Sequence, residues 1–300
     1  MNALIVGGRG QDGRLLESHL TAEGAKVTSV GRGDIDLGDI ARIRELAAIH
    51  QEIYYLAAHH HSSQDITASD ELDLYQQSVA VHMDGLARFL EAMRLGSPTT
   101  RLFYAGSALV FGSPQSEMQN EETPFDPRCI YGITKAAGLR LCRLYRDKHG
   151  VFASGGILFN HESPLRQAKF VIPKIVDAAL AISRGSDKKL VLGDLSARVD
   201  WGYAPDYVDA MARILRLQEP ADFVIATGET HTVQEVVEAV FLSLNLDWRQ
   251  HVKEVPGILT RKRAVLCGDF NKLHKASKWR PSVTFHEMLT RLVEASRNAF

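Results

Sequence analysis

Two residues capable of moving a proton stand four positions apart in a segment with helical periodicity. Tyr131 and Lys135 fall on one face of the predicted helix, so a phenol and an ammonium can act on the same substrate oxygen. A free tyrosine has a pKa of about 10, and a neighbouring cation stabilises its phenolate toward working pH. Ser107 follows an apolar strand and can hold the same oxygen. We predict these three residues to be catalytic, with a helical Tyr and Lys that share no task as the alternative.

A glycine-rich turn follows the first apolar run of the chain. Gly7, Gly10 and Gly13 are spaced three residues apart, between a predicted strand and a predicted helix. Glycines in this order let the backbone turn tightly and approach a pyrophosphate, whose charge is received at the helix N-terminus. The order of strand, turn and helix predicts a dinucleotide site, and a purely structural turn is the alternative.

The end of the second predicted strand bears on which dinucleotide is bound. An NAD site usually carries a carboxylate there for the ribose hydroxyls, whereas this strand ends in Gly31 and Arg32. Arg32 can grip a 2′-phosphate, so we predict NADP, with NAD and a solvated surface arginine as the alternatives. Asp36, followed by Leu37, can accept a hydrogen bond from adenine, although a helix N-cap is a competing role for that carboxylate.

These residues require a parallel sheet that brings the ends of its strands together. The first 160 residues alternate β-rich runs with amphipathic helical segments, which is typical of strands joined by crossover helices. Beyond residue 160 the alternation weakens. The predicted strands are 3–6, 26–30, 53–57, 101–105 and 152–158, and the predicted helices include 14–20, 72–94, 131–148 with Gly150 as its C-cap, 170–183 and 207–217.

We therefore predict an α/β fold, a Rossmann-type doubly wound parallel sheet with a smaller C-terminal substrate-binding lobe. The dinucleotide-binding domain is predicted over 1–160 and the substrate-binding lobe over 161–300, with part of 200–227 allowed to return to the first domain. Open parallel sheets bind ligands at the carboxyl ends of their strands, where Ser107 and Tyr131 can converge.

Charge and composition exclude several function classes. The chain has 35 Lys and Arg against 36 Asp and Glu, and no basic patch to neutralise nucleic-acid phosphates. It has no apolar stretch of the roughly 18 residues that a spanning helix needs, and its opening strand is unlike a signal peptide. Cys129, Cys142 and Cys267 are too widely spaced for a zinc site or a disulfide framework, so we predict a cytoplasmic protein.

A run of three histidines, 59–61, invites a metal interpretation. Adjacent residues on an extended chain point to opposite faces, so the three cannot all reach one ion, and we predict no metal. The run follows Ala57 and Ala58, which makes His60 a candidate nicotinamide or substrate contact. A solvated loop is the alternative.

Taken together, these motifs resemble the extended short-chain dehydrogenase/reductase family, and further strings resemble GDP-mannose 4,6-dehydratases over residues 1–281. The strings that carry the resemblance are Gly10-Gln-Asp-Gly13, Leu56-Ala57-Ala58, Ser107-Ala-Leu-Val-Phe-Gly112, Thr123-Pro-Phe-Asp-Pro-Arg128, Tyr131-Gly-Ile-Thr-Lys135, Gly156-Ile-Leu-Phe-Asn-His-Glu-Ser-Pro164, Asp200-Trp-Gly202, Asp206-Tyr-Val208 and Val224-Ile-Ala-Thr-Gly-Glu229.

The resemblance implies that His161 and Arg166 contact the cofactor and that Asn160 and Lys174 lie beside a GDP-sugar. From the residues alone, Asn160 and Arg166 suit sugar or phosphate groups, and an exposed helix-capping role is the alternative for each. The predicted cofactor-binding set is Gly7, Gly10, Gln11, Asp12, Gly13, Arg32, Asp36, Leu37, Leu56, Ala57, Ala58, His60, Tyr131, Lys135, His161 and Arg166. The predicted substrate-binding set is Ser107, Asn160, Lys174, Arg198 and Arg261.

The sequence departs from the dehydratase pattern at the residues that would remove water. The family places Thr, Ser and Glu where this chain has Ser107, Ala108 and Leu109. Elimination across C5 and C6 of the sugar needs a base for the C5 proton and an acid for the leaving hydroxyl, and a leucine side chain is neither. The string instead resembles that of nucleotide-sugar epimerases and reductases. We therefore favour simple redox at C4, with dehydration and epimerisation as the alternatives.

Two other departures concern assembly and the nucleotide. The connection 32–36 is shorter than the arm that joins dehydratase subunits into tetramers, so a homodimer through the helices at 72–94 and 131–148 is predicted. Arg198 replaces the first residue of a family Lys-Arg-Asp-Trp string, and Arg261 lies in a basic run that replaces another family string. GDP remains the predicted carrier of the sugar.

Overall fold

The computed structural model describes residues 1–59, 71–255 and 264–298. Its first half alternates strands and helices as the sequence predicts. In chain order the elements are β1 (Asn2–Val6), α1 (Gln11–Ala22), β2 (Lys26–Val30), α2 (Ile40–Ile49), β3 (Glu52–Tyr55), α3 (Glu71–Val79), α4 (Leu86–Gly96), β4 (Arg101–Ala105), α5 (Ile130–His149) and β5 (Phe152–Leu158).

The second half combines strands of two to four residues with further helices. In chain order these are β6 (Asn160–Glu162), α6 (Val171–Ser183), β7 (Leu190–Leu192), β8 (Arg198–Val199), β9 (Trp201–Tyr203), α7 (Ala204–Leu215), β10 (Asp222–Ile225), β11 (His231–Thr232), α8 (Val233–Ser243), β12 (Val252–Glu254), α9 (Asn271–Ser277) and α10 (Phe285–Asn298).

The central sheet has six parallel strands in the order β10-β5-β4-β3-β1-β2. The predicted α/β fold with a Rossmann-type parallel sheet is confirmed. The strands β1, β3 and β4 are almost entirely buried because helices cover both faces of the sheet. The strand order reverses between β1 and β3, so the ligand crevice of such a sheet lies outside the carboxyl ends of these two strands.

The last strand of the sheet, β10, comes from residues 222–225 and pairs with β5. Its outer edge is covered by side chains, because Glu121 Oε1 accepts from the Val224 amide at 2.7 Å and Lys272 Nζ donates to the Asp222 carbonyl at 2.8 Å. Helix α7, which precedes β10, packs on α1. The segment 204–225 therefore belongs structurally to the sheet.

Three groups of buried side chains form the core. One lies between the sheet and α2, α4 and α5, and a second lies on the opposite face under α1 and α7. The third is separate from the sheet and joins α6, α8 and α10, with Ile175, Val237 and Leu289 fully or almost fully buried. This third cluster is the core of the smaller lobe.

The helix predicted as one segment over 72–94 has an irregular centre. Between α3 and α4 the chain makes a π-helical turn, Ala80–Gly85, with helical backbone angles at both of its ends. The apolar pattern could not reveal this turn, because one added residue shifts the helical phase without changing its spacing on either side. The Gly150 C-cap of α5 is confirmed, with φ of 64°. Within the described residues no helix has the length and apolarity to cross a bilayer.

Candidate active site

The glycine turn is packed between two strand ends at the point where the strand order reverses. The amides of Gly7 and Gly8 donate to the Val30 carbonyl at the end of β2, at 2.8 and 3.0 Å. Gly7 has φ of 99°, and a Cβ there would lie 2.6 Å from the Ala57 nitrogen. A Cβ on Gly13 would lie 2.6 Å from the Gly7 carbonyl oxygen. Glycines at both positions let α1 begin directly against the turn and the loop after β3.

Arg9, an arginine in the glycine turn that was not predicted as a site residue, packs against the end of β2. The stem of Arg9 packs on Gly31, where a Cβ would be 2.8 Å from Arg9 Cγ, and its guanidinium donates to the Asp34 carboxylate. Asp34 also accepts from the Gly31 amide at 2.8 Å, while Arg32 is exposed beside this pair. The available signal was a basic residue inside the glycine turn itself.

The helix that follows β2 is capped by a residue other than the one considered from sequence. Asp39 is the N-cap of α2 and accepts from the Arg42 amide at 3.0 Å. The N-cap role weighed for Asp36 is therefore wrong, because Asp36 lies three residues before the cap and accepts from the Gly38 amide at 2.7 Å. Leu37 packs against Gly85 of the π-helical turn.

The predicted phenol and ammonium meet at the carboxyl end of β4. Tyr131 lies in the first turn of α5, and Lys135 Nζ is 5.7 Å from the centre of its ring. The same nitrogen donates to the Ala105 carbonyl at 2.7 Å. Ser107 begins a 3-10 turn that packs on α5, and its Oγ accepts from the Leu109 amide at 3.2 Å. These three predicted residues thus flank one strand end.

Leu109 lies directly beside this group. A Cβ on Gly132, the residue after Tyr131, would be 2.6 Å from the Leu109 carbonyl oxygen. The 3-10 turn Ala108–Phe111 therefore touches the first turn of α5, and glycine at 132 is required for that approach. The side chain at position 109 is half-buried next to the phenol-bearing turn.

Burial dominates the protonation of this pair. It lowers the pKa of Lys135 to about 7, against the opposing charge of Asp12. Burial also raises the pKa of Tyr131, which the positive charge of Arg166 only partly opposes. The expected lowering of the Tyr131 pKa is thus not found, because desolvation disfavours the phenolate and the ammonium alike.

A buried ion pair lies at the start of α1. His161 Nε2 is 3.0 Å from Asp12 Oδ1, and His161 Nδ1 donates to the Phe159 carbonyl at 2.7 Å. Burial raises the pKa of Asp12, but the charge and hydrogen bond of His161, together with smaller contributions from Gln11 and Arg166, outweigh it and bring the pKa to about 2. Gln11 accepts from Ser163 Oγ at 2.8 Å, and the His161 ring stacks on Tyr207 with centroids 4.4 Å apart. The predicted cofactor residues Gln11, Asp12 and His161 therefore form one network.

The neighbouring carboxylate and guanidinium face each other without a hydrogen bond. Arg166 Nε is 3.7 Å from Glu162 Oε2, and neither atom has a hydrogen-bond partner within the described residues. Burial raises the pKa of Glu162 to about 7, although the Arg166 charge opposes it. Arg166 also lies 3.6 Å above the Phe170 ring. Neither Arg166 nor Asn160, which is in β6, stands in or next to a helix end, so the helix-capping alternatives are wrong.

The remaining predicted substrate residues lie on the smaller lobe or outside the described residues. Lys174 is on α6 and donates to the Val191 carbonyl at 2.9 Å, and Arg198 Nε donates to Thr230 Oγ1 at 3.0 Å. His60 and Arg261 lie outside the described residues.

A second residue that the sequence analysis missed packs against Tyr131. His82 is fully buried in the π-helical turn, and its ring meets the Tyr131 ring edge-on with centroids 5.3 Å apart. Its only signal in the sequence was a histidine on the apolar side of a helix, which is usually a core residue. The π-helical turn is what directs it toward α5.

Comparison with known proteins shows which family the chain resembles. The family model for GDP-mannose 4,6 dehydratase matches residues 33–292. GDP-mannose 4,6 dehydratase 2 of Arabidopsis thaliana is 35% identical to this chain. The alignment, gaps included, is 327 residues long and covers 97% of this chain and 86% of the plant protein.

Solved structures share the fold at lower identity. RMD from Pseudomonas aeruginosa, complexed with NADPH, has a TM-score of 0.86 at 19% identity, and the match covers 100% of both chains. UDP-glucose 4-epimerase from Thermus thermophilus, complexed with NAD, has a TM-score of 0.85 at 22% identity, again over 100% of both. The predicted resemblance is confirmed, and the chain belongs to the GDP-mannose 4,6-dehydratase family.

Proposed function

We propose that the protein is an NADP-preferring oxidoreductase that reduces a 4-keto group, or oxidises the 4-hydroxyl, of a GDP-linked hexose or heptose. The observation that carries this proposal is the composition of the strand end after β4. A phenol, an amine and a hydroxyl lie there, at Tyr131, Lys135 and Ser107, and the adjacent 3-10 turn presents Leu109. This set can move one proton at a carbinol oxygen and contains no carboxylate.

The residues at the strand-order reversal fit a nicotinamide dinucleotide. Glycines at 7 and 13 let the turn pack tightly against Ala57 and the start of α1, where a Cβ would clash with backbone, and α1 begins after its N-cap Gly10 with N-terminal amides that suit a diphosphate. Relatives of known structure hold NAD or NADPH. When bound, the nicotinamide supplies or accepts the hydride at C4 of the sugar.

Arg9 and Arg32 favour the 2′-phosphorylated form of the cofactor. Arg9 packs on Gly31, Arg32 is exposed two residues after the end of β2, and two arginines can bind one phosphate through several charge-assisted hydrogen bonds. Asp34 holds Arg9 in place and accepts from the Gly31 amide. The Asp34 carboxylate is therefore paired with Arg9 and is not available to accept hydrogen bonds from the ribose hydroxyls.

The chain's own residues then handle the proton. In the reductive direction the Tyr131 hydroxyl donates its proton to the O4 oxygen as the C4 carbonyl becomes a carbinol, and Ser107 Oγ donates a hydrogen bond to the same oxygen. Lys135, held by the Ala105 carbonyl, stabilises the phenolate that remains. The raised pKa of Tyr131 keeps the phenol protonated until it donates to O4 in the reductive direction.

Family membership supports a second candidate, a GDP-mannose 4,6-dehydratase in which another group replaces the missing glutamate. The 35% identity to a plant dehydratase favours it. Dehydration needs a base for the C5 proton and an acid for the leaving hydroxyl on C6, and Leu109 can be neither. A nucleotide-sugar epimerase is a further alternative, and a protein that only senses nucleotides has no need of a phenol, an amine and a hydroxyl at one strand end.

One pair of incubations separates the two candidates. Purified protein receives GDP-mannose with catalytic NADP, or GDP-4-keto-6-deoxymannose with NADPH. We expect no 4-keto-6-deoxy product from the first and stoichiometric NADPH oxidation in the second. Conversion of GDP-mannose to the 4-keto-6-deoxy sugar would refute the proposal. Tyr131→Phe is the matched control, and unchanged turnover in that variant would favour a non-enzymatic role.

We further propose a cytoplasmic homodimer. Support for the compartment comes from Cys129, Cys142 and Cys267, which are all free thiols. Support for the dimer comes from apolar side chains that face solvent on α3 and α5, where Tyr75 is 47% exposed, Ile133 48% and Leu144 51%. A second copy of the chain is the partner that would cover such a pair of helices.

A further inference from the structure

The π-helical turn Ala80–Gly85 is held in place by the sheet. Tyr55 and Tyr104 are register partners on β3 and β4, and their hydroxyls donate to the carbonyls of Val81 and His82, at 2.6 and 3.3 Å. A Cβ on Gly85 would be 2.4 Å from the Tyr55 hydroxyl, so the turn packs close to the strands. Such turns are frequent at functional sites because they redirect one side chain of a helix.

The side chain redirected here is the imidazole of His82, whose two nitrogens both have partners. Nε2 accepts from the His59 backbone amide at 2.9 Å. A backbone N–H can only donate, so the proton of the neutral ring is on Nδ1, which donates to Thr134 Oγ1 at 2.7 Å. The Thr134 hydroxyl in turn donates to the Ile130 carbonyl at 2.9 Å.

These contacts reach two parts of the site at once. Thr134 is three residues after Tyr131 on the same side of α5, and the His82 ring packs edge-on against the Tyr131 ring. His59 lies in the segment that follows β3, in which Ala57 lies against the glycine turn. His82 therefore connects the phenol with the loop that borders the cofactor crevice.

We propose that His82 is a positioning residue of the active site, which fixes the Tyr131 phenol through its ring and the Thr134 hydroxyl, and the loop after β3 through the His59 amide. The role rests on the proposed function of Tyr131 as the proton donor. It predicts two separable effects, one on proton transfer and one on cofactor affinity.

Two substitutions divide these effects. In His82→Asn the amide nitrogen replaces Nδ1 and can donate to Thr134, but the acceptor for His59 and the ring contact with Tyr131 are lost. In His82→Gln the amide oxygen replaces Nε2 and can accept from His59, but the Thr134 and Tyr131 contacts are lost. Thr134→Val replaces the hydroxyl by a methyl group of similar size. It tests the effect on proton transfer by Tyr131 without changing the histidine.

The measurements are the NADPH dissociation constant, by fluorescence titration, and the pH profile of kcat with GDP-4-keto-6-deoxymannose. We expect His82→Asn to weaken NADPH binding about tenfold, the equivalent of one hydrogen bond, with kcat at saturating NADPH within about threefold of the wild type. We expect His82→Gln and Thr134→Val to lower kcat about tenfold and to shift its pH profile, with NADPH affinity within about twofold of the wild type.

His50→Asn is the matched control, because His50 is also a buried histidine with two hydrogen bonds, to Leu46 and Thr28, at the opposite end of β3. This variant should lower the thermal midpoint of unfolding and leave the NADPH dissociation constant and kcat unchanged. If the His82 and Thr134 variants behave like this control, the positioning role is wrong. If Tyr131→Phe keeps full turnover, the proposed function fails instead, and the NADPH titration of His82→Asn still tests the His59 contact.

Discussion

Lys135 Nζ donates a hydrogen bond to the carbonyl oxygen of Ala105, 2.7 Å away, at the last residue of β4. The carbonyl accepts this bond whether the amine is charged or neutral, so the position of the nitrogen does not depend on its protonation. The same nitrogen lies over the rings of Tyr104 and Tyr131, at 4.9 and 5.7 Å from their centres. The sheet thus holds the amine at a fixed place beside the phenol.

Replacing this amine tests its part in proton transfer. We expect Lys135→Met to lower turnover by about a hundredfold or more, because the phenolate loses its neighbouring cation. We expect no loss in thermal midpoint, since burial of the ammonium is costly in the folded state. Turnover and thermal unfolding are compared with Lys148→Met, an exposed position on the same helix. Equal turnover in the two variants would contradict the assignment.

Cofactor preference tests the two arginines at the end of β2. We expect Arg9→Ala and Arg32→Ala each to weaken NADPH binding by about tenfold to a hundredfold and to leave NADH binding within about threefold, because only NADPH carries the 2′-phosphate. Arg42→Ala, which removes an exposed arginine on α2, is the control. Parallel losses for NADPH and NADH would show that these arginines do not read the phosphate.

The buried carboxyl of Glu162 makes stability depend on pH. Its pKa is about 7 in the folded protein and near 4.5 when exposed, so the folded state binds the extra proton between these values. Stability from this group is complete below about pH 4.5 and is lost as the pH rises through about 7. Between about pH 5 and pH 8 we expect the wild type to lose about 2 kcal/mol more unfolding free energy than Glu162→Gln.

The comparison uses the slope of unfolding free energy against pH instead of its absolute value. Any effect of the substitution on Arg166 that does not change with pH is thereby removed. Glu294→Gln, on the exposed face of α10, makes the same charge change and should follow the wild type. Denaturant unfolding at a series of pH values measures the difference. A Glu162→Gln slope equal to that of the wild type would mean that the carboxyl is not perturbed.

The side chain at position 109 tests the proposal that the protein does not dehydrate GDP-mannose. In Leu109→Glu a carboxylate would stand beside the first turn of α5, next to Gly132. We expect this variant to form a detectable amount of the 4-keto-6-deoxy sugar from GDP-mannose, as seen by mass spectrometry, where the wild type forms none. Leu109→Gln, which has the same shape but no carboxylate, is the control. Product from both variants would assign the chemistry to another group.

The exposed faces of α3 and α5 test the assembly. We expect the wild type to have the mass of a dimer in light scattering, and Ile133→Glu or Leu144→Glu to have the mass of a monomer, because each change buries a charge in the interface. Leu242→Glu, which alters a 75% exposed leucine on α8, should leave the mass unchanged. A monomeric wild type would contradict the proposed dimer.

The sheet was predictable because its strands are short apolar runs placed between amphipathic helices. Strand β10 was harder, since Asp222–Ile225 follows a stretch without regular alternation and joins the sheet only through pairing with a distant partner, β5. The π-helical turn left no trace in the spacing of apolar residues. Elements specified by local residue patterns could therefore be predicted, whereas features that depend on packing between distant segments could not.

The same distinction applies to the candidate site. Tyr131 and Lys135 were visible because both lie on one helix, and their contacts are local. Arg9 was missed because its pairing with Asp34 joins two loops, and His82 because three separate segments define its contacts. The direction of the Tyr131 pKa was misjudged for a similar reason, since the extent of burial is a property of the assembled fold.

The position of β10 also governs how the protein is made. A ribosome delivers β5 well before residues 222–225, so for much of translation the growing sheet has an open flank that can capture a neighbouring nascent chain. Glu121 is made before β10 and Lys272 after it, so the outer edge of β10 is covered at Asp222 only once Lys272 has emerged. The sheet therefore closes only after the whole of α6 has emerged, and chaperones have most to protect in that interval.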